Sequence, residues 1–207
     1  KLDDSFQKYY KDEKTFSKRK NIKAYKIRGA KIPEYRISVI EGVIPVDKIL
    51  PKVKEYNASL TIFLAAIFMC AINEEIPVRL KRKPVVLSIP VNLRNYYYSQ
   101  TARNFFGVIN VDYDFSKGSD NLIEVIEALK KTFKVNLTPE RLGRRINKLA
   151  SLEHNYMLRL IPLAIKNFIL KIAYAIVDRS YTSTLSNVGV ISMPDEIKPF
   201  INSFDIF

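Results

Sequence analysis

The residue types that carry most enzyme chemistry are scarce in this chain. The single histidine, His154, is followed by four residues without a carboxylate, so no acidic side chain lies one helical turn ahead to orient its imidazole. The single cysteine, Cys70, lies in an apolar run and is expected to pack as a small hydrophobic residue. One histidine and one cysteine cannot make a closed zinc site. We therefore predict packing on a helix surface or interface for His154, and no catalytic or metal-binding residue in the chain.

A polar loop after one predicted strand offers a first candidate site. Residues 88–107 read Ser-Ile-Pro-Val-Asn-Leu-Arg, continue through three consecutive tyrosines at 96–98, and end in Ala-Arg-Asn-Phe-Phe-Gly. Ligands bind at such strand ends in open α/β sheets, and Arg94, Arg103 and Asn104 are donors suited to an anion or a carbonyl. In the structural alternative, Arg94 caps local carbonyls and Gly107 supplies a tight turn.

A second candidate site is the hydroxyl-rich segment Thr182–Pro194. Its strand-like pattern breaks at Asn187 and Gly189, directly after Ser186. Such a break suits a bulge that presents backbone N–H groups to a ligand. An ordinary turn explains the same residues equally well.

Composition limits the partners. The 207 residues carry a net charge of +13, which indicates an anionic partner such as nucleic acid, a membrane surface or a phosphorylated small molecule. A lone cysteine excludes a disulfide framework and favours a reducing, cytoplasmic compartment. The longest apolar stretch, Leu60–Ile72, is shorter than the roughly 20 residues of a membrane-spanning helix, and no signal peptide is visible.

Hydrophobic periodicity predicts an α/β fold, an α+β layered arrangement in which helices pack on a mixed sheet. The predicted strands are Tyr35–Gly42, Pro84–Val91, Val108–Phe115 and Tyr181–Ile191. The predicted helices are Val46–Tyr56, Leu60–Ile72, Leu122–Phe133, Pro139–Leu152 and Ile161–Val177, with a short helix or turn at Asp195–Ser203. Leu60–Ile72 and Ile161–Val177 are too apolar to face water, so both are expected to pack on the sheet. The run 84–91 is expected to be covered on both faces.

Four short segments, in order, resemble the alcohol acetyltransferase-like proteins of the chloramphenicol acetyltransferase-like superfamily, which also holds condensation domains and wax ester synthases. Ser88–Arg94 with Asn104–Gly107 resembles the family's "PVNLR … N-[FY]-[FVG]-G" region, and Leu185–Gly189 its "SN-[LVP]-G" strand. Residues 57–66 look like the preceding helix, and residues 159–167 like a late helix of the family.

This resemblance implies a fragment of a larger acyltransferase. Family members have two similar subdomains around a tunnel, with a catalytic histidine in an HHxxxDG motif on the first. No such motif occurs here. We therefore expect residues 1–31 to be a linker and helix after a missing N-terminal subdomain. Residues 32–207 would be one chloramphenicol acetyltransferase-like subdomain, the second, truncated at its C-terminus. Alone, the chain would be inactive.

The resemblance also assigns partners and roles. Acyl-CoA would be the donor substrate rather than a bound cofactor, and an alcohol or amine the acceptor. The candidates for binding substrate or the oxyanion are Ser186, Asn187, Gly189 and Asn104. Arg94 is the candidate for organising its loop.

Two alternative functions stay open. One is a non-enzymatic nucleic-acid-binding module using the basic residues 18–31 and the tyrosines 96–98, although no nucleic-acid-binding signature is found. The other is an inactive scaffold or peripheral membrane protein.

Overall fold

The computed structural model describes residues 4–11, 23–29, 38–102, 104–154, 160–191 and 193–201. Within them the chain is an α/β protein whose helices pack with one mixed sheet. The helices are α1 Ser5–Lys8, α2 Val46–Glu55, α3 Leu60–Glu75, α4 Leu122–Asn136, α5 Pro139–His154 and α6 Leu163–Asp178. The strands are β1 Val85–Asn92, β2 Phe106–Tyr113 and β3 Ser183–Thr184, in the order β2-β1-β3. Short 3-10 turns occupy Val78–Leu80, Leu93–Asn95 and Lys198–Phe200.

The sheet is mixed because β1 pairs antiparallel with β2 and parallel with β3. Opposed residues on one face are buried, in the pairs Val85↔Tyr113, Leu87↔Val111 and Ile89↔Ile109. Helices α3 and α4 cover this face, and their contact with the sheet forms the core. The opposite face is more open, since Ser88 and Pro90 are only half-buried and Val108 is 40% exposed. Val86 on this face is 2% exposed, so the second face of β1 is covered at Val86 and only in part at Ser88 and Pro90, which is less than expected.

Helix starts follow local capping chemistry. Ser59 is the N-cap of α3, and its hydroxyl accepts a hydrogen bond from the Ile62 N–H at 3.3 Å. Asn121 is the N-cap of α4, and its Oδ1 accepts a hydrogen bond from the Ile123 N–H at 2.8 Å. Both residues are expected caps, because a short polar side chain satisfies an N–H group that the first turn leaves unpaired.

The turn between β2 and α4 is fixed by polar contacts. Burial raises the pKa of Asp114, but hydrogen bonds from Lys117 and Ser116 outweigh it, so the pKa of this carboxyl lies below its ordinary value. The Lys117 ammonium lies 2.7 Å from the Asp114 carboxylate. The Tyr113 hydroxyl donates to the Ser119 carbonyl at 3.0 Å, directly against Gly118, where a Cβ atom would collide with that hydroxyl.

Two predicted strands differ from the structure. Of Tyr35–Gly42, residues 35–37 lie outside the described residues, and residues 38–42 are exposed and form no strand. The strand predicted at Tyr181–Ile191 is reduced to β3, because its sheet pairing ends at Ser88↔Thr184. The alternation of apolar and polar residues therefore overstated the length of β3.

Helix α6 forms close to its predicted bounds but does not pack on the sheet. No described residue of α6 is buried, and several of its large apolar side chains are more than half exposed. The expectation that Ile161–Val177 is covered by the sheet is therefore wrong. Helix α3, by contrast, packs on the sheet as predicted, with six buried residues.

Part of the segment 23–29 packs against the sheet, while Ile27, Arg28 and Gly29 are exposed. Ala24 and Tyr25 are buried, and the Tyr25 N–H donates to the Pro84 carbonyl at 2.9 Å.

Among the described residues no single helix has the length and apolar composition to cross a membrane. The helices Val46–Glu55 and Leu60–Glu75, bent by 82° relative to each other, meet those criteria only as a pair.

Candidate functional site

An open groove lies where β1 ends and the chain leaves β3. Its volume is about 250 Å³. It is lined by Pro90, Val91, Asn92, Arg94, Asn104, Phe105, Phe106, Ser186, Asn187 and Val188. The two candidate segments, which are far apart in sequence, therefore form opposite sides of one groove. Four of the five candidate residues line it, and Gly189 is not among the lining residues.

Pairing chemistry explains why a groove opens at this position. The last hydrogen bond between β1 and the segment after β3 runs from the Leu185 N–H to the Ser88 carbonyl at 3.0 Å. Two residues further along β1 is Pro90, which has no N–H group to donate to another rung. The backbone at 186–188 therefore separates from β1 and leaves the groove between them.

Asn187 ties its side of the groove to α3. Its amide nitrogen Nδ2 donates to the Thr61 hydroxyl at 2.9 Å, and its Oδ1 accepts from the Gly189 N–H at 2.9 Å. Gly189 has a φ of +78°, a left-handed conformation that L side chains rarely adopt. The segment is thus a turn closed by an asparagine side chain, and both ends of that amide are held in place.

Ser186 and Asn104 present polar atoms to the groove. Both residues are exposed, and neither side chain has a hydrogen-bond partner within the parts of the chain that the structure describes. The Ser186 hydroxyl can donate and accept, and the Asn104 amide can do both. These two groups are therefore the ones available to a bound molecule.

Arg94 holds its own loop. Its guanidinium donates to the Thr101 carbonyl at 2.7 Å, and its backbone N–H donates to Asn92 Oδ1 at 3.1 Å. The first of these bonds closes residues 94–101 into a loop. Arg94 is also the one charged residue among those that line the described groove. Arg103, the other arginine of this segment, lies outside the described residues.

Tight apolar packing supports the floor of the groove. Phe105 is 2% exposed, and the ring of Phe6 in α1 meets it edge-on with centroids 5.1 Å apart. Leu93 is also buried, and its side chain lies 3.3 Å from where a Cβ atom on Gly107 would stand. Glycine at 107 therefore permits a close approach between Leu93 and β2, which is a more specific role than the tight turn expected for it.

The residues with potential reactivity lie away from the groove lining. Burial raises the pKa of the Cys70 thiol, and the nearby Asp120 and Glu74 carboxylates raise it further. His154 is exposed; its Nε2 lies 2.6 Å from Gln7 Oε1, and its ring stacks on Tyr10 at 4.5 Å. His154 therefore has the packing role expected for it. No group of three or more metal-ligating side chains occurs in the described residues.

Sequence reasoning missed three contributors to the site: Thr61, Pro90 and Val188. The Thr61 hydroxyl accepts a hydrogen bond from Asn187. The only feature of the sequence that pointed to Thr61 was its place as a polar residue in the first turn of the apolar helix α3, after the Ser59 cap. Pro90 lies inside the predicted strand Pro84–Val91, and the sequence did not show that the neighbouring strand ends beside it. Val188 lines the groove with an exposed side chain.

Comparison with protein families, with curated proteins and with solved structures finds no match to this chain.

Proposed function

We propose that this chain forms the second subdomain of a chloramphenicol acetyltransferase-like acyltransferase. The observation that carries the proposal is the groove, because it joins the two segments on which the family resemblance is strongest. Arg94 and Asn104 belong to one segment and Ser186 and Asn187 to the other, and all four line the same groove.

In this proposal the groove is one wall of a tunnel for an acyl thioester. The acceptor oxygen or nitrogen attacks the thioester carbonyl, and the carbonyl oxygen becomes an oxyanion. The tetrahedral intermediate then collapses, the carbon–sulfur bond breaks, and coenzyme A leaves as its thiolate. The acceptor's proton passes to a base that the resemblance assigns to an HHxxxDG histidine on another subdomain, and that base then protonates the thiolate. The partner implied is the N-terminal subdomain of the same enzyme.

This chain would contribute stabilisation of the oxyanion. Asn187 donates one hydrogen of Nδ2 to Thr61, and the amide is fixed because Gly189 donates to its Oδ1. A second hydrogen on Nδ2 remains for a ligand, and the Ser186 hydroxyl lies on the same side of the groove. A fixed donor of this kind is effective because it needs no reorganisation as charge develops.

The donor in this proposal is acyl-CoA, used as a substrate in the cytoplasm. Its phosphates match the chain's net charge of +13. Because Arg94 is the one charged residue of the described lining and already bonds Thr101, the phosphates would lie outside the groove, with only the acyl thioester inside.

The test compares acetyl-CoA transfer and binding. The chain alone is expected to transfer no acetyl group to alcohols or amines above background, because loss of a general base costs a factor of about 10² to 10⁴. In the intact enzyme, Asn187→Ala is expected to lower kcat by about 10² with little change in donor affinity. Ser151→Ala, at an exposed position of α5, is the matched control. Robust turnover by the chain alone, or a kcat for Asn187→Ala equal to that of the control, would overturn the proposal.

Binding separates this function from the nucleic-acid alternative. Calorimetry of the chain with coenzyme A is expected to show binding that an oligonucleotide does not displace. A salt-dependent shift with the oligonucleotide, and no heat with coenzyme A, would favour the binding module instead.

A further inference from the structure

Helix α6 presents an apolar surface that the rest of the described chain leaves uncovered. Four of its largest side chains, Leu163, Phe168, Leu170 and Tyr174, are between 64% and 72% exposed. Projected on a helical wheel, the polar residues Asn167, Lys171 and Asp178 form one narrow stripe, and Lys166 alone lies about 100° away from it. The remaining arc is almost entirely apolar, and a helix of this composition is normally covered.

The surroundings of α6 are basic. Between residues 160 and 180 the single acidic side chain is Asp178, and the Lys26 ammonium lies 3.1 Å from its carboxylate. The Ala24 N–H donates to the Arg179 carbonyl at 3.1 Å, so the basic segment 23–29 lies at the C-terminal end of the helix. Within that segment Lys23 and Arg28 are exposed. Exposed positive charge therefore lies at the C-terminal end of the apolar surface, where the one acidic side chain of the helix, Asp178, is already paired with Lys26.

We propose that α6 is a docking surface for an anionic lipid membrane, on which the helix lies parallel to the surface. Aromatic side chains such as Phe168 and Tyr174 suit the boundary between head groups and acyl chains. Lys171 has a stem long enough to lie along apolar surface while its ammonium group reaches lipid head groups. Basic residues next to the buried face add attraction to anionic lipids.

A second copy of the chain is one competing occupant, and charge argues against it. Each copy carries a net charge of +13, and pairing two α6 helices would bring their lysines together. An anionic surface, by contrast, complements both the apolar arc and the charge around it. The proposal is independent of acyl transfer, since it uses none of the residues that line the groove.

The chain contains no tryptophan, which allows a site-specific fluorescence test. Phe168→Trp places a single probe on the exposed arc of α6, and Ile123→Trp places one on α4 at a side chain that is 56% exposed. With vesicles of phosphatidylcholine and phosphatidylserine, we expect a blue shift of emission for the α6 probe and none for the α4 probe. Partitioning is expected to be at least about tenfold weaker with pure phosphatidylcholine or in high salt.

A charge on the apolar arc tests the same surface by a second route. Leu170→Glu is expected to lower partitioning of the full chain into phosphatidylserine vesicles by at least about tenfold, whereas Ile123→Glu leaves it unchanged. Both side chains are exposed, and circular dichroism confirms that each variant folds. The proposal is overturned if the two probes shift equally, if neither shifts, or if sedimentation equilibrium shows a dimer that Leu170→Glu dissociates.

Discussion

The hydrogen bond between Asn187 and Thr61 is expected to anchor one side of the groove to α3. We test it by comparing Asn187→Ala, Thr61→Val and the double variant. Asn187→Ala removes two hydrogen bonds, to the Thr61 hydroxyl and from the Gly189 N–H. At about 0.5–1 kcal/mol for each bond at an exposed position, the loss is about 1–2 kcal/mol in the free energy of unfolding.

Thr61→Val keeps the shape of the side chain and removes only the acceptor, so its cost is about 0.5–1 kcal/mol. The double variant should be no less stable than Asn187→Ala alone, because the bond can be lost only once. The expected coupling energy is therefore about 0.5–1 kcal/mol. Urea denaturation of the four proteins measures it, and for a chain of this length each kcal/mol corresponds to about 2–4 °C in Tm.

Ser186→Ala is the matched control for this cycle. Its hydroxyl lies next in sequence but has no hydrogen-bond partner in the described part of the chain, so its stability should change by less than about 0.5 kcal/mol. If the losses for Asn187→Ala and Thr61→Val are fully additive, the two side chains do not interact. That result would refute the anchoring of this side of the groove to α3 through Thr61.

Three further predictions concern the surroundings of the site. Gly118→Ala is expected to destabilise the protein by about 1–3 kcal/mol in thermal melts, because the new methyl group collides with the Tyr113 hydroxyl. Because the pKa of Asp114 is lower in the folded protein, its carboxylate stabilises the fold at pH values above the unfolded-state pKa. This stabilisation is lost as acidification protonates the carboxylate. Urea midpoints should therefore fall below about pH 4, and less steeply for Asp114→Asn. The raised pKa of Cys70 predicts slow reaction with a disulfide reagent at neutral pH and a large acceleration in urea.

Each of these predictions has a matched comparison. Gly42→Ala places a methyl group in open space and should leave Tm unchanged, so an equal loss at both glycines would rule out the collision. Parallel pH profiles for wild type and Asp114→Asn would show that this carboxyl makes no difference. Labelling of native Cys70 as fast as that of glutathione would contradict its partial burial and its raised pKa.

Residues with strong local signals were predicted well. The continuous apolar run Pro84–Val91 and the alternation of Val108–Phe115 predict the strands that the structure shows as β1 and β2. The caps Ser59 and Asn121 are residue types that favour the N-cap position, and capping depends only on residues within one turn. These features are local in sequence, so the sequence contains the information that determines them.

Features that depend on distant partners were harder to predict. The composition of α6 indicates a helix that needs covering but does not identify what covers it, and no described element does so. The length of β3 depends on the position of Pro90 in a different strand. The groove follows from that mismatch, so its candidate residues were identifiable from the sequence while its shape was not.

The attachment of β3 has a consequence for folding kinetics. Thr182 is paired with Val86 by two bonds, from its N–H to the Val86 carbonyl at 2.7 Å and from the Val86 N–H to its hydroxyl at 3.0 Å, across 96 residues of chain. β1 and β2 share eight residue pairs, against two between β1 and β3. Closing a loop of this length delays formation of the β1–β3 pairing during folding. Because only two residue pairs hold β3 to β1, this pairing is also expected to open before the β1–β2 ladder does. Amide protons at Thr182 and Leu185 should therefore exchange faster than those of the β1–β2 ladder. The groove would then be assembled last during folding, and it would open transiently without unfolding of the core.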